Sequence, residues 1–258
     1  MSVNKVIGVV NLSPNSFVFE QNKPSETEPI EQAVRLVKEG AYGLDFGAVA
    51  THLGAEPVSE EEEWRRLSAV LPIARRLLPD VPFSVDTYRA SIAERVIDEY
   101  GVEVINDISG GQWDERMFDV VAQKKAGYVL GHTQGTIASP TAGGVYVDLM
   151  ADMMDYFVRK LDILHRKGVS QVIIDPGFGF SKTLEQNLYL LHHLRYLTYL
   201  DAPIMVGVSR KRMIYEPLGV SPASNEALLG SLEAAKVAIE QGATYLRVHD
   251  VKQTVELC

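Results

Sequence analysis

A short apolar run that stops abruptly on a polar residue recurs eight times along this chain, with loops and helical patterns in between. Such runs, without polar alternation, read as parallel strands covered on both faces by helices. They lie at residues 6–10, 42–45, 83–85, 102–105, 128–130, 172–174, 204–208 and 244–246. Helical patterns fill the intervals at 29–39, 59–78, 89–100, 116–125, 149–166, 184–199 and 225–241. Pro29 opens the first of these and Gly40 stops it. Ser59, with Glu62 three residues on, is a capping-box signature for the second. After the eighth strand so few residues remain that the last helix has at most two turns.

Eight strands alternating with helices, with no linker and no shift in composition, predict an α/β protein: a single-domain (β/α)8 TIM barrel spanning residues 1–258. A doubly wound sheet is the alternative, and the count of eight and the shortness of every strand favour closure. The net charge of −9 argues against non-specific nucleic-acid binding. The single cysteine, Cys258, excludes an internal disulfide framework or a Cys-based zinc site. No stretch approaches the ~20 apolar residues of a membrane span, and the N-terminus has no basic region followed by a long apolar one. The chain is therefore expected to be cytoplasmic and to need no membrane.

In such barrels the active site lies where the strands end, built from the loops that follow them. That rule gathers Asn11, Asp45, Asp86, Asn106, His132, Asp175, Lys211, Arg247 and His249 into one mouth. The sharpest tip is VIIDPGFGFSKT, residues 172–183, where Asp175 ends a strand and Pro176, Gly177 and Gly179 forbid its continuation. Thr183 can cap the helix that begins at Leu184. Carboxylates and an amide facing a lysine suit a polar heterocycle with amidine-like donors, because a carboxylate accepts two parallel N–H bonds from such an edge. Arg247 and His249, two apart on the last strand's extension, suit an anion such as phosphate. His132 reads either as a mouth residue or as a packed histidine.

GVVNLSPNSF (8–17), FSVDTYRA (83–90), VINDISGG (104–111), IIDPGFGFSKT (173–183), VGVSRK (206–211) and LRVHDV (246–251) resemble, in order, the signature stretches of dihydropteroate synthases. AEPVSEEEE (55–63) is a further match. The resemblance implies condensation of 6-hydroxymethyl-7,8-dihydropterin pyrophosphate with p-aminobenzoate, giving dihydropteroate and pyrophosphate in folate biosynthesis. It implies that Asp86, Asp175 and Lys211 carry the catalysis. Asp86, Asn106, Asp175, Lys211 and Arg247 would bind pterin, and Asn11, Thr51, His52, Arg247 and His249 would hold pyrophosphate. Phe180, Lys211 and Arg212 would line the p-aminobenzoate side. The resemblance further implies Mg²⁺, with Asn11 as the protein contact to the metal, and a homodimer.

The chain also departs from that pattern. Asn15 replaces the first acid of the first loop, and His52 stands where the second loop normally carries an arginine. An imidazole offers one donor and a conditional charge where a guanidinium offers five donors and a permanent one. Arg212 replaces a serine, and Gly131 precedes His132 where methionine is usual. These changes fall on the pyrophosphate and p-aminobenzoate side, which leaves an alternative: a pterin-binding paralogue without synthase activity, either a binding protein or a folate-to-corrinoid methyltransferase.

Overall fold

The structure, a computed structural model, describes residues 5–13, 28–50, 58–139 and 143–258. Eight parallel strands form one sheet: β1 Lys5–Asn11, β2 Gly43–Gly47, β3 Phe83–Asp86, β4 Val104–Asp107, β5 Gly127–Gly131, β6 Val172–Asp175, β7 Met205–Val206 and β8 Tyr245–Val248. Their order, β6-β5-β4-β3-β2-β1-β8-β7, wraps round until a bridge between Ile174 and Ile204 brings its two ends together. This is the expected (β/α)8 barrel. The helices are α1 Glu28–Lys38, α2 Glu60–Leu77, α3 Ala90–Tyr100, α4 Met117–Lys124, α5 Leu149–Arg166, α6 Leu184–His192, α7 Arg212–Leu218, α8 Asn225–Glu240 and α9 Val251–Val255. None among the described residues is long and apolar enough to cross a membrane.

Each helix buries one stripe against the strands. In α5 that stripe is Met153, Phe157, Leu161 and Leu164, at the spacing that keeps side chains on one helical face. Phe46 of β2 and Phe83 of β3 are fully buried and meet edge to face at 4.9 Å. Burying each such side chain contributes about 1.5–3 kcal/mol, so the barrel wall is a large store of stability. Local signals set the helix ends. Ser59 accepts from the Glu62 backbone N–H at 3.2 Å, Thr183 and Gln186 complete a reciprocal capping box, and Gly40 takes a left-handed φ of 102° after α1.

Several boundaries differ from the sequence reading. β4 starts at Val104 and runs on through Asn106 and Asp107, and β8 runs on through Arg247 and Val248, because ladder bonding to neighbouring strands extends past the apolar residues. β7 is only two residues long. The helix predicted over 184–199 breaks at His193, whose φ of −114° is not helical, and continues as a 3-10 segment Leu194–Leu200. The short helix α7 has no counterpart in the sequence reading, since Pro217 and Gly219 give its stretch the look of a loop.

Strand register then aligns the tips. Asp45 sits beside Ser84 and Gly47 beside Asp86, Asp86 sits beside Asn106, and Gly131 sits beside Asp175. Asn11, Asp86, Asp107 and Asp175, which end β1, β3, β4 and β6, thus stand at one rim of the barrel.

Candidate active site

One half of the rim is a closed charge network on β2, β3, β4 and β8. Asp45, only 1% exposed, accepts from Arg247 Nε at 2.7 Å, from Asn106 Nδ2 at 3.1 Å and from the Ser84 hydroxyl. Arg247 also donates through Nη2 to Asp86 Oδ2 at 2.9 Å. Burial raises the Asp86 pKa above the usual carboxylate range, the Arg247 charge works against that rise, and Asp45 adds to it. Arg247 is buried too, which favours losing its proton, yet Asp45 and Asp86 more than offset this and hold the guanidinium protonated. Asn11 ends β1 beside Gly47, and a side chain added at Gly47 would meet Asp86 and Asn11 Oδ1 at 3.8 and 3.9 Å. The bare glycine keeps the space between those two groups open.

The other half lies on the loops after β6 and β7, and its charges are spread out. Asp175 Oδ1 accepts from the Gly177 backbone N–H at 2.8 Å, and among the described residues its second oxygen has no hydrogen-bond partner. Burial raises its pKa, opposed first by Lys211. The Lys211 ammonium donates to the Phe178 carbonyl and lies 4.5 Å from the centre of the Phe180 ring. Burial brings the Lys211 pKa down to about 8, against the pull of Asp175. No ion pair within 4 Å joins Asp175 to Lys211 among the described residues. Gly179, at φ 81°, allows this packing: a Cβ there would come within 3.1 Å of the Lys211 stem.

His249 faces Ser209 across the β7 and β8 tips, with Nδ1 3.1 Å from the serine hydroxyl. Burial and the neighbouring Arg247 lower its pKa to about 4, so it is a neutral N–H donor at physiological pH. Asn11, Asp86, Asn106, Asp175, Phe180, Lys211, Arg247 and His249 thus all stand at the strand ends or on the loops just beyond. Arg212, placed by the sequence on the p-aminobenzoate side, opens α7 half-exposed and bonds to Glu216 at 2.7 Å. Thr51 and His52 lie outside the described residues.

His132 is packed rather than presented to the mouth. It is 3% exposed, meets Tyr156 edge-on at 4.8 Å, and has its pKa lowered to about 2 by burial and by Lys182. Three residues of the site are given no role of their own by the sequence, although Asp45 falls at a strand tip and Lys182 within a signature stretch. Asp45 looks like any strand tip, Ser84 like any strand residue, and Lys182 like an ordinary solvent-facing lysine. Asp107 is a brace for the turn after β4, accepting from Ser109 N, Ser109 Oγ, Gly111 N and Tyr128 Oη at 2.7–2.9 Å.

Residues 7–249 match the family described as pterin binding enzyme. Dihydropteroate synthase of Synechocystis sp. is 37% identical over 255 residues, covering 98% of this chain and 87% of that protein. The chain belongs to the dihydropteroate synthase family. Among solved members, dihydropteroate synthase from Thermus thermophilus in complex with 6HMPPP shares 37% identity at a TM-score of 0.83, covering 98% of this chain and 91% of that one. Xanthomonas albilineans dihydropteroate synthase with 4-aminobenzoic acid shares 34% identity at a TM-score of 0.86, covering 98% and 90%. These solved members share the barrel fold over nearly the whole chain.

Proposed function

We propose that this chain is a dihydropteroate synthase whose pterin sits between Asp175 and the Asp86–Asn106 edge of the mouth. The observation that carries the reading is Asp175: a half-buried carboxylate with one oxygen held by a backbone N–H and the other without a hydrogen-bond partner among the described residues. An unpaired oxygen there is ready for an N–H of an amino-amidine edge. Asp86 and Asn106 each keep one oxygen outside the charge network for the opposite ring edge. Lys211 supplies the cation for the ring carbonyl, and Phe180 beside it a wall for the aromatic amine.

In the reaction the bond between the pterin methylene carbon and the pyrophosphate oxygen breaks, and its electron pair leaves with pyrophosphate. The amine nitrogen of p-aminobenzoate forms a bond to that carbon and releases a proton. Little acid or base assistance is needed. In this reading Asp86 stabilises positive charge growing on the pterin side, while Arg247, His249 and Asn11 would hold the leaving anion. Such prearranged charge lowers the barrier without reorganisation during the reaction. Arg247 keeps three of its five N–H donors beyond the bonds to Asp45 and Asp86.

Among the described residues no group of three or more His, Cys, Asp or Glu could hold a metal. The donor chemistry nevertheless fits Mg²⁺ in one manner: Asn11 Oδ1 as a single neutral oxygen, with substrate phosphates and waters completing the shell. When bound there, Mg²⁺ would neutralise phosphate charge. A homodimer is supported by half-exposed Leu188, Tyr189, Tyr196 and Leu229 and by Tyr199, 77% exposed, on the neighbouring elements α6, Leu194–Leu200 and α8.

The test is turnover: pure protein, Mg²⁺, 6-hydroxymethyl-7,8-dihydropterin pyrophosphate and p-aminobenzoate, with dihydropteroate and pyrophosphate both quantified. Equal amounts of the two products are expected. Pterin binding with no product at any pH from 6 to 9 would instead make the chain a pterin-binding paralogue.

A further inference from the structure

We infer that Lys182 is a positioning residue for pterin recognition, its ammonium holding the loop after β6 in the shape that presents Asp175 and Phe180 to the mouth. The inference rests on the pterin reading of Asp175 and deepens it. Lys182 is 9% exposed, and its Nζ reaches three acceptors: His132 Nδ1 at 3.1 Å, the Gly177 carbonyl at 3.2 Å and the Phe180 carbonyl at 3.2 Å. Three acceptors match the three hydrogens of an ammonium, so the group is fully satisfied without any carboxylate in contact.

The loop it binds is one that would not keep this shape unaided. Gly177, Gly179 and Ser181 have φ of 71°, 81° and 47°, and a non-glycine residue such as Ser181 rarely occupies that region. Two carbonyls of the loop converge on one cation, which fixes the curve between them. Everything the loop offers the site depends on that curve. Gly177 N holds Asp175 Oδ1, the Phe178 carbonyl holds Lys211, and the Phe180 ring lies against Lys211. His132 ties the arrangement to β5, wedged among Tyr156, Phe157 and Tyr146.

A buried cation without a contacting acid is an expensive way to hold a loop, and an apolar side chain of similar volume generally folds at lower cost. The expense makes sense if the product is a geometry rather than stability. Burial pulls the Lys182 pKa down to about 7, while Asp175 draws it back up, so the two groups feel each other across the loop.

The experiment compares wild type and Lys182→Met, measuring calorimetric affinity for 6-hydroxymethyl-7,8-dihydropterin without pyrophosphate, the KM and kcat values of turnover, and the unfolding midpoint. The variant is expected to fold, to bind pterin roughly ten- to a hundredfold more weakly, and to show its loss mainly in KM for the pterin substrate. A folded Lys182→Met with wild-type pterin affinity, or with a loss confined to the unfolding midpoint, overturns the inference. Should Lys182→Met fail to fold, His132→Asn and His132→Leu decide. Asn keeps an acceptor for the ammonium and should retain pterin affinity, whereas Leu should weaken it several-fold, and equal affinities in the two overturn the inference. A wild-type protein that binds no pterin sinks the functional reading instead, which keeps the two failures apart.

Discussion

The two halves of the mouth solve the same problem, charge at a strand tip, in opposite ways. On β2, β3, β4 and β8, Arg247 lies between Asp45 and Asp86 and pairs with both carboxylates, at 2.7 and 2.9 Å. On the loops after β6 and β7, Lys182 and Lys211 are held by backbone carbonyls, and Asp175 keeps an oxygen unpaired among the described residues. The first arrangement has its ion pairs in place before any substrate arrives. The second is completed only by a ligand, which is what a recognition site requires. Acids in one ring need not share one role: Asp45 sets the electrostatics of the wall, while Asp175 is the acid proposed to read the pterin ring.

The comparison breaks most visibly at Arg247. Arg247→Met leaves the buried Asp45 and the half-buried Asp86 beside each other without their cation, and should destabilise the fold by about 3–5 kcal/mol, measured by urea unfolding at pH 8. The sign with pH follows from Asp86, whose folded pKa is already raised by burial and rises further once Arg247 is gone. An acid with a raised folded pKa is protonated in the folded chain while ionised in the unfolded one, so stability falls as pH rises through that window and recovers as pH drops towards the unfolded value near ~4. The deficit should therefore be smaller at pH 5 than at pH 8. An equal deficit at both values would mean that the two acids do not feel Arg247 as a charge.

A smaller effect sharpens the other half. Lys211, with its pKa brought down to about 8 by burial, offers pterin a full positive charge only below that value. Pterin affinity should decline as pH rises from 7 to 9, by about tenfold for each unit beyond the pKa. Calorimetry across this range checks it, and Lys211→Met, already weak, should lack the step.

Much of the barrel was legible because each strand's apolar run and each helix's start are local signals. Gly40, Ser59 and Thr183 act as their residue types predict. The ring of strand-tip residues followed once the barrel was recognised, since closure forces the ends together. What stayed hidden depends on partners distant in sequence. Asp45 meets Arg247 across 202 residues, and Lys182 meets His132 across 50, so neither environment leaves a local pattern. The same holds for His132, whose burial is decided by Tyr156 and Phe157 on a different element. Arg212 stands directly after Lys211 at the start of α7 and pairs with Glu216 one turn on, a local contact that its i,i+4 spacing allows.

The claim that the β6 half reads pterin has one most direct test, calorimetric titration of 6-hydroxymethyl-7,8-dihydropterin into wild type and Asp175→Asn at pH 7. Asparagine can still accept from Gly177 N, so the loop keeps its bond and stability should change little. The amide nitrogen that replaces the unpaired oxygen cannot accept from the ligand and sets one N–H against another, a loss of about 1–3 kcal/mol or roughly five- to 150-fold in affinity. That loss, with an unchanged unfolding midpoint, is the predicted result. Equal affinity in the two proteins would contradict the account, making Asp175 a turn residue and placing pterin recognition elsewhere in the mouth.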